Sequence, residues 1–409
     1  MPADDIKKNS NIKRHYFDWA ASSIFDSSAE MNADCFACFA NPSSQHSEGK
    51  EAKNALENAR ARCAKVLNVP PETLFFTSGG TESNSIALFS NLTRKSQGTV
   101  ISSEAEHPSV REAVETLAKM GRPVGTIAVD SSGCVTAAAL QNALLKNPDA
   151  RFASVMAVNN ETGSVTDIAC LADVIRKHRE ISKAPVHFHC DLVQAAGKIP
   201  VRIADWEIDS ASISAHKISG PRGIGLLYLR KPFRQEIFYS GGGQENGVRG
   251  GTENVCGAVS LAGCLEKYAV SANAGFAEGE PPENTVERRY ARAKARWKKL
   301  IGSLKEIKRC AIIPKERLAD DDRFSPYILQ AAFNDIPGEV MARALDDLGF
   351  AVSTGSACSS SSPERPVLLA MGVEEKLRIE GIRISQGYTT TDEQIDLLLD
   401  AVTEVLKFL

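Results

Sequence analysis

Residues 73–92 read TLFFTSGGTESNSIALFSNL. The first six are rich in aromatic and β-branched types and have the length of a buried strand. After two glycines, helical spacing of apolar residues begins near Thr81. The same order returns in GTVISSE (98–104) before PSVREAVETLAKMG (108–121), and in RFASVMAV (151–158) before DIACLADVIRKH (167–178). Strand-like runs continue at PVHFHCD (185–191), SASISAH (210–216) and GIGLLYL (223–229). This alternation predicts an α/β chain whose large domain has a mainly parallel sheet flanked by helices.

The pattern breaks at NAGFAEGEPPEN (273–284), a Gly-, Pro- and Glu-rich stretch that reads as a solvent loop at a domain boundary. The expected organisation is a tail over 1–15, a large domain over 16–272, the loop over 273–284 and a smaller C-terminal α+β domain over 285–409. The last contains a basic helix, ERRYARAKARWKKL (287–300), and the strands PYILQAAF (326–333) and GIRISQ (381–386). A capping box from Thr390 to Glu393 is expected to open its final helix.

At 409 residues the chain can bury a large core, and its 43% hydrophobic and 24% charged content is that of a water-exposed globular protein. A net charge of -3 provides no basic field for nucleic acid or an anionic membrane, so the expected partners are small molecules or proteins. The start, MPADDIKKNS, lacks the apolar region of a secretory signal, and no apolar run is long enough to span a bilayer. A cytoplasmic location is expected. The ten cysteines, from Cys35 to Cys358, are too sparse for a disulfide framework. Cys35 and Cys38 have CxxC spacing but no second pair to complete a zinc set, and no metal is expected.

In open parallel sheets ligands bind beyond the carboxyl ends of strands, so chemistry belongs on the loops that follow them. Gly79–Gly80–Thr81 opens a helix after a strand, where free N–H groups and the helix dipole can seat a phosphate. It fits neither the P-loop nor the dinucleotide pattern, and alone it reads as a turn. Asp191 ends an apolar strand, with Gln194 three residues on; a carboxylate there either caps a turn or holds a protonated ring nitrogen. Lys217 follows a Ser/Ala strand beside His216 and precedes a glycine-rich loop, a place where a lysine can be desolvated enough to form a Schiff base. In that order, anion seat, ring-nitrogen carboxylate and lysine are the parts of a pyridoxal phosphate site. His107, in EAEHPSV, lies between a strand and a helix, where it can stack on a cofactor ring. Arg383 alternates with Ile382 and Ile384, so it faces away from them, either to grip a substrate carboxylate or to form an ion pair. Cys358, in STGSACSSSS (353–362), sits among small polar residues that cannot make a core.

The ordered motifs YFDWAA, NPSSQH, FTSGGTESN, EHPSV, VNNETG, CDLVQAAGK, SAHKISGPRGIG, GGGQENGVRGGTENV, STGSACSS and IRISQGYTT resemble the cysteine desulfurases of the class V aminotransferase family, fold type I pyridoxal phosphate enzymes. The resemblance implies pyridoxal 5'-phosphate as cofactor and L-cysteine as substrate. Lys217 would hold the cofactor covalently, Asp191 would pair with its ring nitrogen and His107 would stack on the ring. Gln194 and Asn160 would hold the ring hydroxyl side, and Gly80, Thr81, Ser214 and His216 the phosphate. Thr252 would reach the neighbour's phosphate in a homodimer. Arg383 would take the substrate carboxylate, with Asn41 and His46 near the site. Cys358 would accept the sulfur as a persulfide, leave alanine, and deliver the sulfur to an acceptor or iron–sulfur scaffold protein. The chain departs from the usual pattern at Gly250, where serine is common, and in a slightly short stretch between Cys358 and PVLLAMG. A selenocysteine or cysteine sulfinate lyase on the same fold would need Cys358 less, and a noncatalytic sulfur-transfer scaffold would need no turnover.

Overall fold

The computed structural model describes residues 13–28, 39–93, 97–183, 185–231, 241–272, 284–355 and 365–409. A short strand, β1 (His15–Tyr16), comes first, and the large sheet follows as β2 (Leu74–Thr77), β3 (Val100–Ser103), β4 (Val124–Ile127), β5 (Phe152–Met156), β6 (His187–Asp191), β7 (Ser210–Ser214) and β8 (Gly225–Leu229). Its spatial order is β2-β8-β7-β6-β5-β3-β4. Pairings from β7 through β4 are parallel, and β8 runs antiparallel to both β2 and β7. Strands β5 and β7 are buried at every position: FASVM reads as a short apolar run, whereas SASIS alternates serine with Ala and Ile although both of its faces are covered. The sequence reading did not single out β4, whose Val124 and Thr126 are exposed at the sheet edge.

The remaining strands are β9 (Cys310–Ile313), β10 (Ile328–Phe333), β11 (Phe350–Ala351) and β12 (Gly381–Ser385). Three of them form an antiparallel sheet in the order β12-β10-β9. The basic stretch forms the helix Val286–Glu306, which buries Trp297, Leu300, Ile301 and Leu304 against this sheet's core. The final helix, Asp392–Phe408, is opened by Thr391 and Gln394, one residue later than expected. Thr390 is taken by the preceding turn, where its Oγ1 accepts from Gly387 N at 3.0 Å.

The N-terminal segment crosses between the two sheets. Strand β1 pairs in parallel with β11, and Phe17 is buried in the C-terminal core. Trp19 packs so closely on Gly387 that a Cβ there would lie 1.8 Å from the indole. Four residues further on, the chain has reached the end of β7, where Ser23 N bonds the carbonyl of His216.

A buried ion pair anchors the opposite edge. Arg60, on the helix Ser47–Leu67, donates to Glu245 Oε2 at 2.7 Å and Oε1 at 2.8 Å, and to the carbonyl of Leu74 at 2.7 Å. Glu245 also accepts from Phe76 N at 2.8 Å, so one carboxylate joins a helix, the edge strand and the loop leading to Thr252. In that loop Gly250 has a structural reason: a Cβ there would lie 2.8 Å from Gly241 Cα. Removing one partner of such a pair leaves an uncompensated buried charge, costing about 3–5 kcal/mol. Glu245→Ala is therefore expected to lower the denaturant midpoint of unfolding markedly; an unchanged midpoint would show that the pair does not hold the edge.

Candidate active site

Between the carboxyl ends of the central strands and the C-terminal sheet lies a cavity of about 200 Å³. Gly80, Thr81, His107, Asn160, Asp191, Gln194, Ser214, His216, Lys217 and Arg383 all line it. Each arrives by a simple route. Asp191 ends β6, Ser214 ends β7, and His216 and Lys217 follow in a short 3-10 turn. The helix Gly80–Phe89 starts directly after β2, with Gly79 at its cap (φ 153°) and no side chain capping it. His107 caps the helix Pro108–Lys119, its Nδ1 accepting from Ser109 N at 3.1 Å.

The polar groups are held in defined positions. Lys217 Nζ donates to the carbonyls of Ala20 at 2.6 Å and Ala21 at 2.9 Å. Asp191 Oδ1 accepts from Val193 N at 2.9 Å and Oδ2 from Asn84 at 2.8 Å. Gln194 donates to Ala20 O at 2.9 Å and accepts from the buried Lys198 at 2.6 Å. Arg383 is 1% exposed; it donates to Asn160 O at 2.9 Å and Asp18 Oδ1 at 2.8 Å. Arg383 thus forms the ion pair that was one of its two readings, and it also lines the cavity.

Burial sets the ionisation. It lowers His216 to about 3, helped by the charges of Lys217 and Lys198, and it lowers His107 from its ordinary value, with Asp191 opposing. Burial also takes Lys198 well below its ordinary value. The carboxyl of Glu106 is pushed up to about 8 by burial and by the nearby Asp191 charge.

The residues fit pyridoxal phosphate. An uncapped helix N-terminus faces Ser214, whose Oγ lies 3.5 Å from where a Cβ on Gly79 would be, and this suits a phosphate. Asn160 Oδ1 is buried without a partner among the described residues, as expected of a group whose partner is a ligand.

Other expected residues lie elsewhere. Asn41 and His46 are exposed and do not line the cavity; His46 caps the helix Ser47–Leu67. Thr252 is exposed outside this chain's own cavity. Cys358, Cys35 and Cys38 lie outside the described residues. Among the described residues no cluster of His, Cys, Asp or Glu could hold a metal, and no helix is long and apolar enough to cross a membrane. Sequence reasoning missed Asp18, Asn84, Ser109, Met156 and Lys198. Helical spacing carried one of these signals, since Asn84 stands four residues after Gly80 on the same helix.

Glu106 makes the site's clearest linkage. Below its ordinary 4.5, folded and unfolded states both hold its proton; between 4.5 and about 8 only the folded state does, so this contribution to stability is lost as pH rises through that window. Glu106→Gln keeps an acceptor for Ser103 Oγ and Met156 N and has no proton to lose. The melting temperature of the parent relative to this variant is expected to fall from pH 5 to 8 and then level off; a difference independent of pH would contradict it.

Comparison with known proteins shows the family. The aminotransferase class V family profile matches residues 15–398. A mitochondrial cysteine desulfurase of Saccharomyces cerevisiae is 36% identical over 377 residues, covering 91% of this chain and 70% of that protein. The cysteine desulfurase IscS of Salmonella arizonae is 35% identical over 370 residues, covering 89% of this chain and 84% of its own. A solved structure of a NifS-like protein superposes with a TM-score of 0.84 at 32% identity, covering 97% of this chain and 100% of that one. The family profile and these identities over most of the chain show that it belongs to the class V aminotransferases, among the cysteine desulfurases.

Proposed function

We propose that this protein converts L-cysteine to L-alanine and transfers the sulfur to Cys358, for onward delivery to an acceptor protein in iron–sulfur cluster or other sulfur-cofactor assembly. The observation that carries the reading is the single cavity that collects Lys217, Asp191, His107, Ser214, His216 and Arg383 from distant parts of the chain.

Pyridoxal 5'-phosphate, when bound, would supply an electron sink for bond breaking at the substrate. Lys217 would hold it covalently from its place beside the Ala20 and Ala21 carbonyls. Asp191 would face the ring nitrogen, His107 the ring, and Gln194 and Asn160 the hydroxyl side. Gly80 and Thr81 would meet the phosphate with backbone N–H groups, and Ser214 and His216 with side chains. The neutral His216 can donate a hydrogen bond there without adding a buried charge. Thr252 would serve the second copy of a homodimer. Arg383, held in place by Asp18 and Asn160, would take the substrate carboxylate through Nε, which has no partner among the described residues. His107 Nδ1 is engaged by Ser109, so its proton sits on Nε2 in the neutral ring. The reaction balances without an external redox partner: L-cysteine and the Cys358 thiol give L-alanine and a Cys358 persulfide. The substrate's C–S bond breaks as the S–S bond forms. A cytoplasmic location completes the proposal.

The test compares alanine released from L-cysteine, in the presence of a thiol reductant, by the parent, Cys358→Ala and Lys217→Ala. The parent should yield alanine and sulfide in equal amounts. Cys358→Ala should retain pyridoxal phosphate and lose nearly all turnover, whereas Lys217→Ala should lose both the cofactor's visible band and turnover. Full activity in Cys358→Ala would replace persulfide transfer with a related lyase reaction.

A further inference from the structure

Behind the cavity a chain of hydrogen bonds runs from His187, at the start of β6, to Asp191 and His107 in the site. His187 Nε2 lies 2.8 Å from Ser210 Oγ, and Ser210 Oγ lies 2.7 Å from His189 Nδ1. His189 Nε2 is 2.9 Å from Asn84 Oδ1. The Asn84 amide nitrogen then donates twice, to Asp191 Oδ2 at 2.8 Å and to Ser109 Oγ at 2.9 Å. Ser109 Oγ stands 2.9 Å from His107 Nδ1.

The directions of these bonds can be assigned. Asp191 accepts at both oxygens, from Val193 N and Asn84, which is the arrangement of a carboxylate. An Asn84 amide turned the other way would set oxygen against oxygen. With its nitrogen fixed on Asp191, Asn84 must accept through Oδ1, so His189 carries its proton on Nε2. Burial lowers His189 to about 3, so it is neutral, and its bare Nδ1 accepts from the Ser210 hydroxyl. His187 supplies the donor to Ser210. At the far end, the Ser109 hydroxyl accepts from Asn84 and donates to His107 Nδ1. The donors run one way, from His187 toward Asp191 and His107.

Asn84 is the branch point. It is 1% exposed, and it sits one turn along the helix whose N-terminus faces the phosphate seat. Phe152 stacks on the half-buried His187 and on the buried His189, with ring centroids 5.0 and 6.0 Å apart. The other titratable groups around it are Glu106 and Cys190 beside Asp191, and Lys217 and Arg111 beside His107.

We propose that Asn84, backed by His189, is a positioning residue for the reaction: its one amide joins the carboxylate that faces the cofactor's ring nitrogen to the turn that holds the stacking histidine. The proposal rests on the pyridoxal phosphate reading above. A hydrogen bond to a charged acceptor is worth enough that its loss changes an equilibrium about tenfold or more.

The test uses the cofactor-loaded protein and the variants Asn84→Leu, His189→Leu and His189→Gln, with melting temperature recorded for each. The readouts are the dissociation constant for pyridoxal phosphate and the pH midpoint of the bound cofactor's visible band. Asn84→Leu should bind the cofactor about tenfold or more weakly and shift the midpoint upward, because a less firmly protonated ring nitrogen withdraws less from the Lys217 linkage. His189→Leu should shift it in the same direction by less, and His189→Gln, which restores a donor to Asn84 Oδ1, should return it toward the parent. A folded Asn84→Leu with the parent's affinity and midpoint overturns the proposal. If Asn84→Leu does not fold, equal midpoints for His189→Leu, His189→Gln and the parent overturn it instead. A parent that gains no visible band with pyridoxal phosphate fails the cofactor reading itself, and the proposal with it.

Discussion

The site depends first on Arg383, a cation almost wholly withdrawn from water. Its guanidinium bonds the carbonyl of Asn160 and the carboxylate of Asp18, while its backbone pairs with Gln330 on β10 and with Ser353. A buried charge is tolerated only with such partners. Satisfying it forces the C-terminal sheet, the loop after β5 and the N-terminal segment to meet at one point. Asp18 in turn places Ala20 and Ala21, whose carbonyls receive Lys217. One ion pair thus fixes both the Arg383 wall of the cavity and the surroundings of the lysine.

Around this point the charge balance favours anions. Lys217 and Arg383 line the cavity with the buried Lys198 near both, whereas Glu106, pushed up to about 8, is neutral at pH 7. His216 adds hydrogen-bonding capacity without charge. A partly desolvated cavity with cations, a helix N-terminus and one carboxylate suits a ligand that carries phosphate and carboxylate groups as well as a ring nitrogen. The parallel order of β7, β6 and β5 makes this possible, because it brings the ends of successive strands to the same edge of the sheet.

Much of this was legible in the sequence. The short apolar run at 152–156 and the small-residue run at 210–214 marked strands, and Asp191 and Lys217 stood out as polar residues at or just after strand ends, where loops of a parallel sheet come together. The ordered motifs named the family. Capping was read one residue early, since Thr390 and Thr391 are chemically alike and only the Gly387 turn decides which of them faces the helix.

The sequence by itself determined the alternation of strand and helix, the identity of the chemical groups and their order along the chain, because these follow from local periodicity and from residue type. Tertiary structure alone decided which polar groups share a buried partner: Asp18 with Arg383, Glu245 with Arg60, Asn84 with His189 and Asp191. These contacts join residues 105 to 365 positions apart, and their strength comes from removal from water, which no local pattern encodes.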